Sequence, residues 1–166
     1  MTFSYYARLS PSAQAAYRQS DAVHALRLPP PDARALQPLI AELQHALSRD
    51  DAQAVEALGE ALCFGLAHAL GAEPPHFVLL EERPRAERME LHGLYTRDRD
   101  DATVAVWMRT ARHGRVVAFR TFLRTLLHEM VHHLDFVHLR LPESMHTEGF
   151  FMRITSLFHQ LVPAAR

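Results

Sequence analysis

The spacing of apolar positions changes character three times along the chain. After Pro38, which suits a first helical turn, Leu39, Ile40, Leu43 and Leu47 recur at helical spacing. A second helix is predicted from about Asp51, with Val55, Leu58, Leu62, Leu66 and Leu70 on one face and Gly71 as its stop. The pattern then turns to short runs rich in β-branched and aromatic residues, PPHFVLLEE, MELHGLYTRD and ATVAVWMRTA, which predict three strands. In the third, Val104, Val106 and Met108 alternate with Ala105, Trp107 and Arg109, so one face is expected to pack and the other to meet solvent or a ligand. The longest helical pattern follows, from about Val117 to His138. A last one runs from about Glu143 to Leu161, punctuated by Pro142 and Pro163. Residues 1–31 are mixed, with Tyr5, Tyr6 and Tyr17 on polar ground, and end in LPPP, which reads as a stiff extended connector closing an N-terminal arm. Helices, three strands, a long helix and a closing helix make an α+β domain over residues 32–166.

Composition narrows the classes. At 166 residues the chain is the size of one domain. The lone Cys63, inside the apolar run ALCFGLAHAL, excludes an internal disulfide and a cysteine-based zinc ribbon and reads as a buried small hydrophobe. All 18 basic residues are arginine, against 19 acids, and the net charge of -1 gives no global case for nucleic acid or a membrane surface. No leader pattern opens the sequence and no run approaches a membrane span, so the expectation is a cytoplasmic protein with no membrane partner.

The chemistry concentrates in LLHEMVHHLDFVH, residues 126–138. With ~100° per residue and His128 at zero, the apolar Phe119, Leu123, Leu126, Leu127, Met130, Leu134 and Val137 gather around ~200°. His128, His132, Asp135, Thr121 and Thr125 fall on the opposite side, with Glu129 on the flank. This is what HExxH chemistry requires: two imidazoles one turn apart reach one Zn²⁺, and the Glu beside the first, Glu129, serves as general base toward a metal-bound water.

Zinc needs a third protein donor and an open position. His138 has the spacing of the pattern HExxHxxGxxH, but Asp135 stands where that pattern has its bending glycine, and a continuous helix would carry His138 ~15 Å along the axis from His128. His146 is better placed, because Pro142 permits the chain to reverse and the next helix could carry His146 back near its start. Glu148 or Glu143 would complete a His₂Glu set instead.

At this point the chain resembles a known family. HEMVHHLD, followed 14 residues after His132 by the His of SMHTEGFFMRI, looks like the SprT-like metallopeptidase domain, a small zincin whose HExxH helix is followed by a third His near a glycine and an aromatic residue. The resemblance covers about residues 50–160 and is sharp between 126 and 152. It implies a small zincin-like α+β fold and a zinc peptidase acting on a peptide or protein, with His128, His132 and His146 as ligands and Glu129 as catalytic base. Gly149 follows the His by three positions rather than directly, and the cysteine-rich ribbon often appended to such domains is lacking.

Other residues carry weaker expectations. Asp135 could fix the tautomer of a ligand imidazole or be a solvated acid, and His133 could pack or stabilise an oxyanion. Arg109, Arg112, Arg115, Arg120 and Arg124 form a basic strip before the motif helix. It reads first as solvated arginines and second as a contact for nucleic acid or an acidic substrate. That second reading supplies the rival function, a zinc-containing nucleic-acid or protein binding module without proteolysis. Trp107 reads as packing, and the third strand, taken as the sheet edge beside the zinc, could pair with an extended peptide.

Overall fold

Several of the helices begin where a side chain or a proline deals with the unpaired N–H groups of a first turn. The computed structural model describes residues 2–82, 93–99 and 101–163. A single 3-10 turn at Tyr6–Arg8 leads into α1 (Pro11–Asp21), where Ser10 caps Ala13 N–H at 3.2 Å and proline occupies the first position. Helix α2 (Pro30–Ser48) starts on Pro30 and Pro31, and α3 (Ala52–Ala69) is capped by Asp51 accepting from Ala54 N–H at 3.0 Å. LPPP is thus the entry to a helix, and Pro38 lies inside α2; prolines at the first helical positions lack an N–H that would have no partner anyway.

Three strands follow: β1 (His76–Glu82), β2 (Gly93–Asp98) and β3 (Asp101–Arg109). Their order is β1-β3-β2, with β1 parallel and β2 antiparallel to β3. The part of the expected second strand before Gly93 lies outside the described residues. Two expectations about β3 are corrected. Among the described residues it is the central strand and β2 is the edge near the motif helix, and Ala102 and Val104 to Met108 are all buried because both sides of a central strand are covered.

Helix α4 (Phe119–Val137) lies against β2 and β3 and carries the motif. Its Phe122, Leu123, Leu126, Leu127, Met130, Val131 and Leu134 have no exposed surface, each such burial contributing about 1.5–3 kcal/mol. The apolar stripe is wider than the wheel predicts, since Phe122 and Val131 join it. Helix α5 (Glu148–Leu161) packs on α4 and begins five residues later than expected, because Thr147, accepting from Phe150 N–H at 3.0 Å, is its cap. His146 therefore stands in the segment before α5, not on it. α3 covers β1, α2 joins α3 to α5, and α1 lies along α5 with Tyr17 and Ser20 fully buried. Among the described residues no helix is long and apolar enough to cross a membrane.

Candidate metal centre

One turn of α4 separates His128 from His132, so both rings leave the helix on the same side. The segment between α4 and α5 returns over them and brings His146 within reach. Its Nε2 lies 3.0 Å from Nε2 of His128 and 3.0 Å from Nε2 of His132. Among the described residues, these three form a group whose donor atoms lie within 4.8 Å of one another. His138, at the C-cap of α4, and Glu143 and Glu148 are outside that group.

Two imidazole nitrogens bound tetrahedrally to one zinc are ~3.3 Å apart, so the separations of His146 from His128 and from His132 fit a shared ion to a few tenths of an ångström, within a group that closes to 4.8 Å as a whole. The proton inventory points the same way. Nδ1 of His132 donates to Ser144 Oγ at 2.7 Å, which leaves its Nε2 as a bare lone pair facing two other Nε2 atoms. One proton cannot bridge three converging nitrogens, whereas a divalent cation can. Burial, then the charges of His128, His146 and Arg153, push His132 down to about 3, and burial also lowers His146. Both rings are therefore neutral near pH 7, the state a metal ligand needs.

The floor under the triad is Phe150, fully buried, with ring centroids 4.9, 4.6 and 5.0 Å from those of His128, His132 and His146. Behind His132 runs a polar chain: Ser144 Oγ donates to Asp135 Oδ2 at 2.8 Å, and Arg153 Nη2 donates to the same oxygen at 2.9 Å. Asp135 and Arg153 have no exposed side-chain surface. The solvated-acid reading of Asp135 is thus excluded. The carboxylate acts on the imidazole through Ser144 rather than directly. Arg153 also donates to the backbone carbonyls of Ser20 and Val23, at 2.7 and 2.6 Å, tying the N-terminal segment to this chain. On the other side Tyr5 donates from its hydroxyl to the His146 carbonyl at 2.6 Å, and Gly149 N–H bonds Asp21 Oδ1 at 2.9 Å.

Glu129 sits on the flank of the triad against β2. A Cβ on Gly93 would lie 2.7 Å from Glu129 Cγ and 2.8 Å from its Oε1, so the strand approaches this side chain only because the residue is glycine. Burial raises Glu129 to about 7, although a hydrogen bond from the Tyr95 backbone N–H pulls it down. A carboxyl group in that range both accepts and returns a proton near neutrality. The cavity beside it, about 290 Å³, is lined by Gly93, Leu94, Tyr95, Phe136, Glu143 and Ser144 together with the triad and Glu129.

His133 is accounted for by packing: Nε2 lies 2.7 Å from the Glu73 carbonyl and Nδ1 lies 3.2 Å from the Tyr95 hydroxyl, so neither nitrogen is turned to the cavity for an oxyanion. The basic strip is divided. Arg120 and Arg124 lie over the Phe158 ring at 5.2 and 4.4 Å, Arg109 pairs with Asp50, and Arg112 and Arg115 are exposed. Trp107 is buried in β3. Sequence reasoning missed Ser144, Tyr95, Gly93, Arg153 and Tyr5; each acts across a turn or between elements, and only Gly93, a glycine inside a strand pattern, carried a local signal. No family model, no curated protein and no solved structure matches the chain.

Proposed function

We propose that this chain is a zinc-dependent peptidase of SprT-like, HExxH type, hydrolysing a peptide bond in the cleft between α4 and β2. The observation that carries the reading is the convergence of His128, His132 and His146 through Nε2 with a buried Glu129 beside them. Those three histidines would hold the ion. Zinc bound there would supply Lewis acidity, polarising the scissile carbonyl and acidifying water. Glu129 takes the proton from the attacking water and delivers it to the leaving amine. β2, paired on one side with β3, offers its other edge to an extended substrate, so Gly93, Leu94 and Tyr95 orient the peptide backbone while Phe150 and the buried face of α4 keep water from behind the ligands.

A catalytic role is favoured over a purely structural zinc because three donors converge among the described residues, where a closed structural site takes four. The test is a paired measurement on the full chain. Purified protein should carry zinc and cleave an unfolded protein or a quenched fluorescent peptide, and Glu129→Gln should keep the metal and lose turnover. Full activity in Glu129→Gln, or normal zinc content in His146→Ala, would defeat the assignment.

A further inference from the structure

Beyond the zinc cleft, the same face of β2 leads to a second cavity of about 450 Å³, lined by Arg97, Arg99 and Arg140 together with His133 and Glu73. Residues Gly93, Tyr95 and Arg97 share one side of the strand and meet α4 in succession. Gly93 lies against Glu129, Tyr95 stacks near His132 and Phe136, and the Arg97 guanidinium lies 5.2 Å from the Phe136 ring centroid. Phe136 lines the zinc cleft and Arg97 lines the second cavity, so this stacked pair is a wall common to both. The Tyr95 to His133 hydrogen bond is a second shared wall.

The charge of that cavity is lopsided. Three guanidiniums face one acid, Glu73, and none of the three has an ion-pair partner among the described residues. All three arginines are exposed. Arg99 and Arg140 have φ of 49° and 56°, backbone positions where glycine or asparagine would be cheaper.

We infer that this cavity binds an acidic side chain of the peptide substrate, held a few residues from the scissile bond, and so makes the enzyme selective for acidic peptides. The inference rests on the peptidase reading above and adds its substrate class. From Gly93, which lies against Glu129, to Arg97 the strand advances ~13 Å, so a peptide laid along β2 with its scissile bond near Glu129 brings a side chain to the arginines about four residues away. Arginine suits the task because its planar fork takes a carboxylate through two parallel hydrogen bonds.

The experiment uses a set of quenched fluorescent peptides of one sequence in which a single Glu replaces Gln at each position in turn. Glu at one position should raise kcat/KM about fivefold to tenfold, a gain within reach of a few exposed charge pairs. Arg99→Glu with Arg140→Glu should abolish that gain, leave cleavage of the all-Gln peptide unchanged, and favour Lys at the same position. Binding of the same peptides to zinc-loaded Glu129→Gln protein, read by fluorescence anisotropy, tests the cavity without turnover. Acid-selective, arginine-dependent binding without cleavage by the wild-type chain would sink the peptidase reading and spare the anion-binding cavity. Cleavage with no preferred Glu position, or charge-reversal variants indistinguishable from wild type, would overturn the cavity and spare the peptidase. Tighter, arginine-dependent binding of a single-stranded oligonucleotide than of any Glu peptide would overturn it as well.

Discussion

Ser144 stands between His132 and Asp135, taking the imidazole Nδ1 proton at 2.7 Å and donating its own to the carboxylate at 2.8 Å. The hydroxyl orients the ring and keeps Nε2 as the donor toward the cleft. Ser144→Ala should weaken zinc binding ~10–100-fold, the usual cost of losing a ligand's outer partner. Competition with a chromophoric chelator would measure it. An unchanged affinity would mean that packing alone orients the ring.

Asp135 and Arg153 form a fully buried ion pair at 2.9 Å, and removing one partner strands the other charge. Asp135→Ala should destabilise the fold by ~3–5 kcal/mol in urea unfolding. The double change of Asp135 and Arg153 to leucine should cost less than the sum of the single changes. A strictly additive result would show that the two charges do not depend on each other.

Gly93 faces Glu129 so closely that any Cβ must push the carboxylate aside. Gly93→Ala should lose activity up to ~100-fold through misplacement of the base, since the added Cβ meets Glu129 Cγ at 2.7 Å, its Oε1 at 2.8 Å and Thr125 Cγ2 at 3.0 Å, and the zinc content and thermal unfolding of the variant separate that loss from one of folding. Wild-type kcat in this variant would separate Glu129 from the chemistry.

The Tyr5 hydroxyl holds the backbone of the third histidine through its carbonyl. In Tyr5→Phe the lost bond, worth ~0.5–1.5 kcal/mol, should appear as zinc dissociating ~2–10-fold faster. Stopped-flow release to a chelator would reveal it, and an unaltered rate would confine Tyr5 to ordinary packing.

Cys63 is fully buried, and burial pushes its thiol well above the ordinary range. The folded chain should resist thiol reagents, and labelling should report opening of the core. Zinc at a hundred times its dissociation constant stabilises the fold by ~2.7 kcal/mol, so chelation should speed labelling ~100-fold if the metal is released with unfolding. Equal rates with and without chelator would argue that the histidine triad binds no metal.

Much of this protein is written in short-range pattern. The spacing of His128 and His132 sets them on one helical face, and the bulk of α4 follows from apolar periodicity and α3 from periodicity and its Asp51 cap, because a helix is held by contacts within four residues. The start of α5 differs from the expected one for an equally local reason: Thr147 caps it, and Pro142 only ends what precedes.

The sequence by itself determined that two histidines and Glu129 share a helix, that three strands precede it, and that the further donors to be weighed, His138, Glu143, His146 and Glu148, all lie beyond Val137. Only the tertiary structure decided that His146 is the residue delivered, that Ser144 relays Asp135, that β2 rather than β3 borders the cleft, and that Arg97, Arg99 and Arg140 surround one cavity. The physical reason is range. Strand order and the return of residues 138–147 over α4 depend on burying surfaces far apart in the chain, and the contacts that position them, from Tyr5, Ser20 and Arg153, leave no periodic trace.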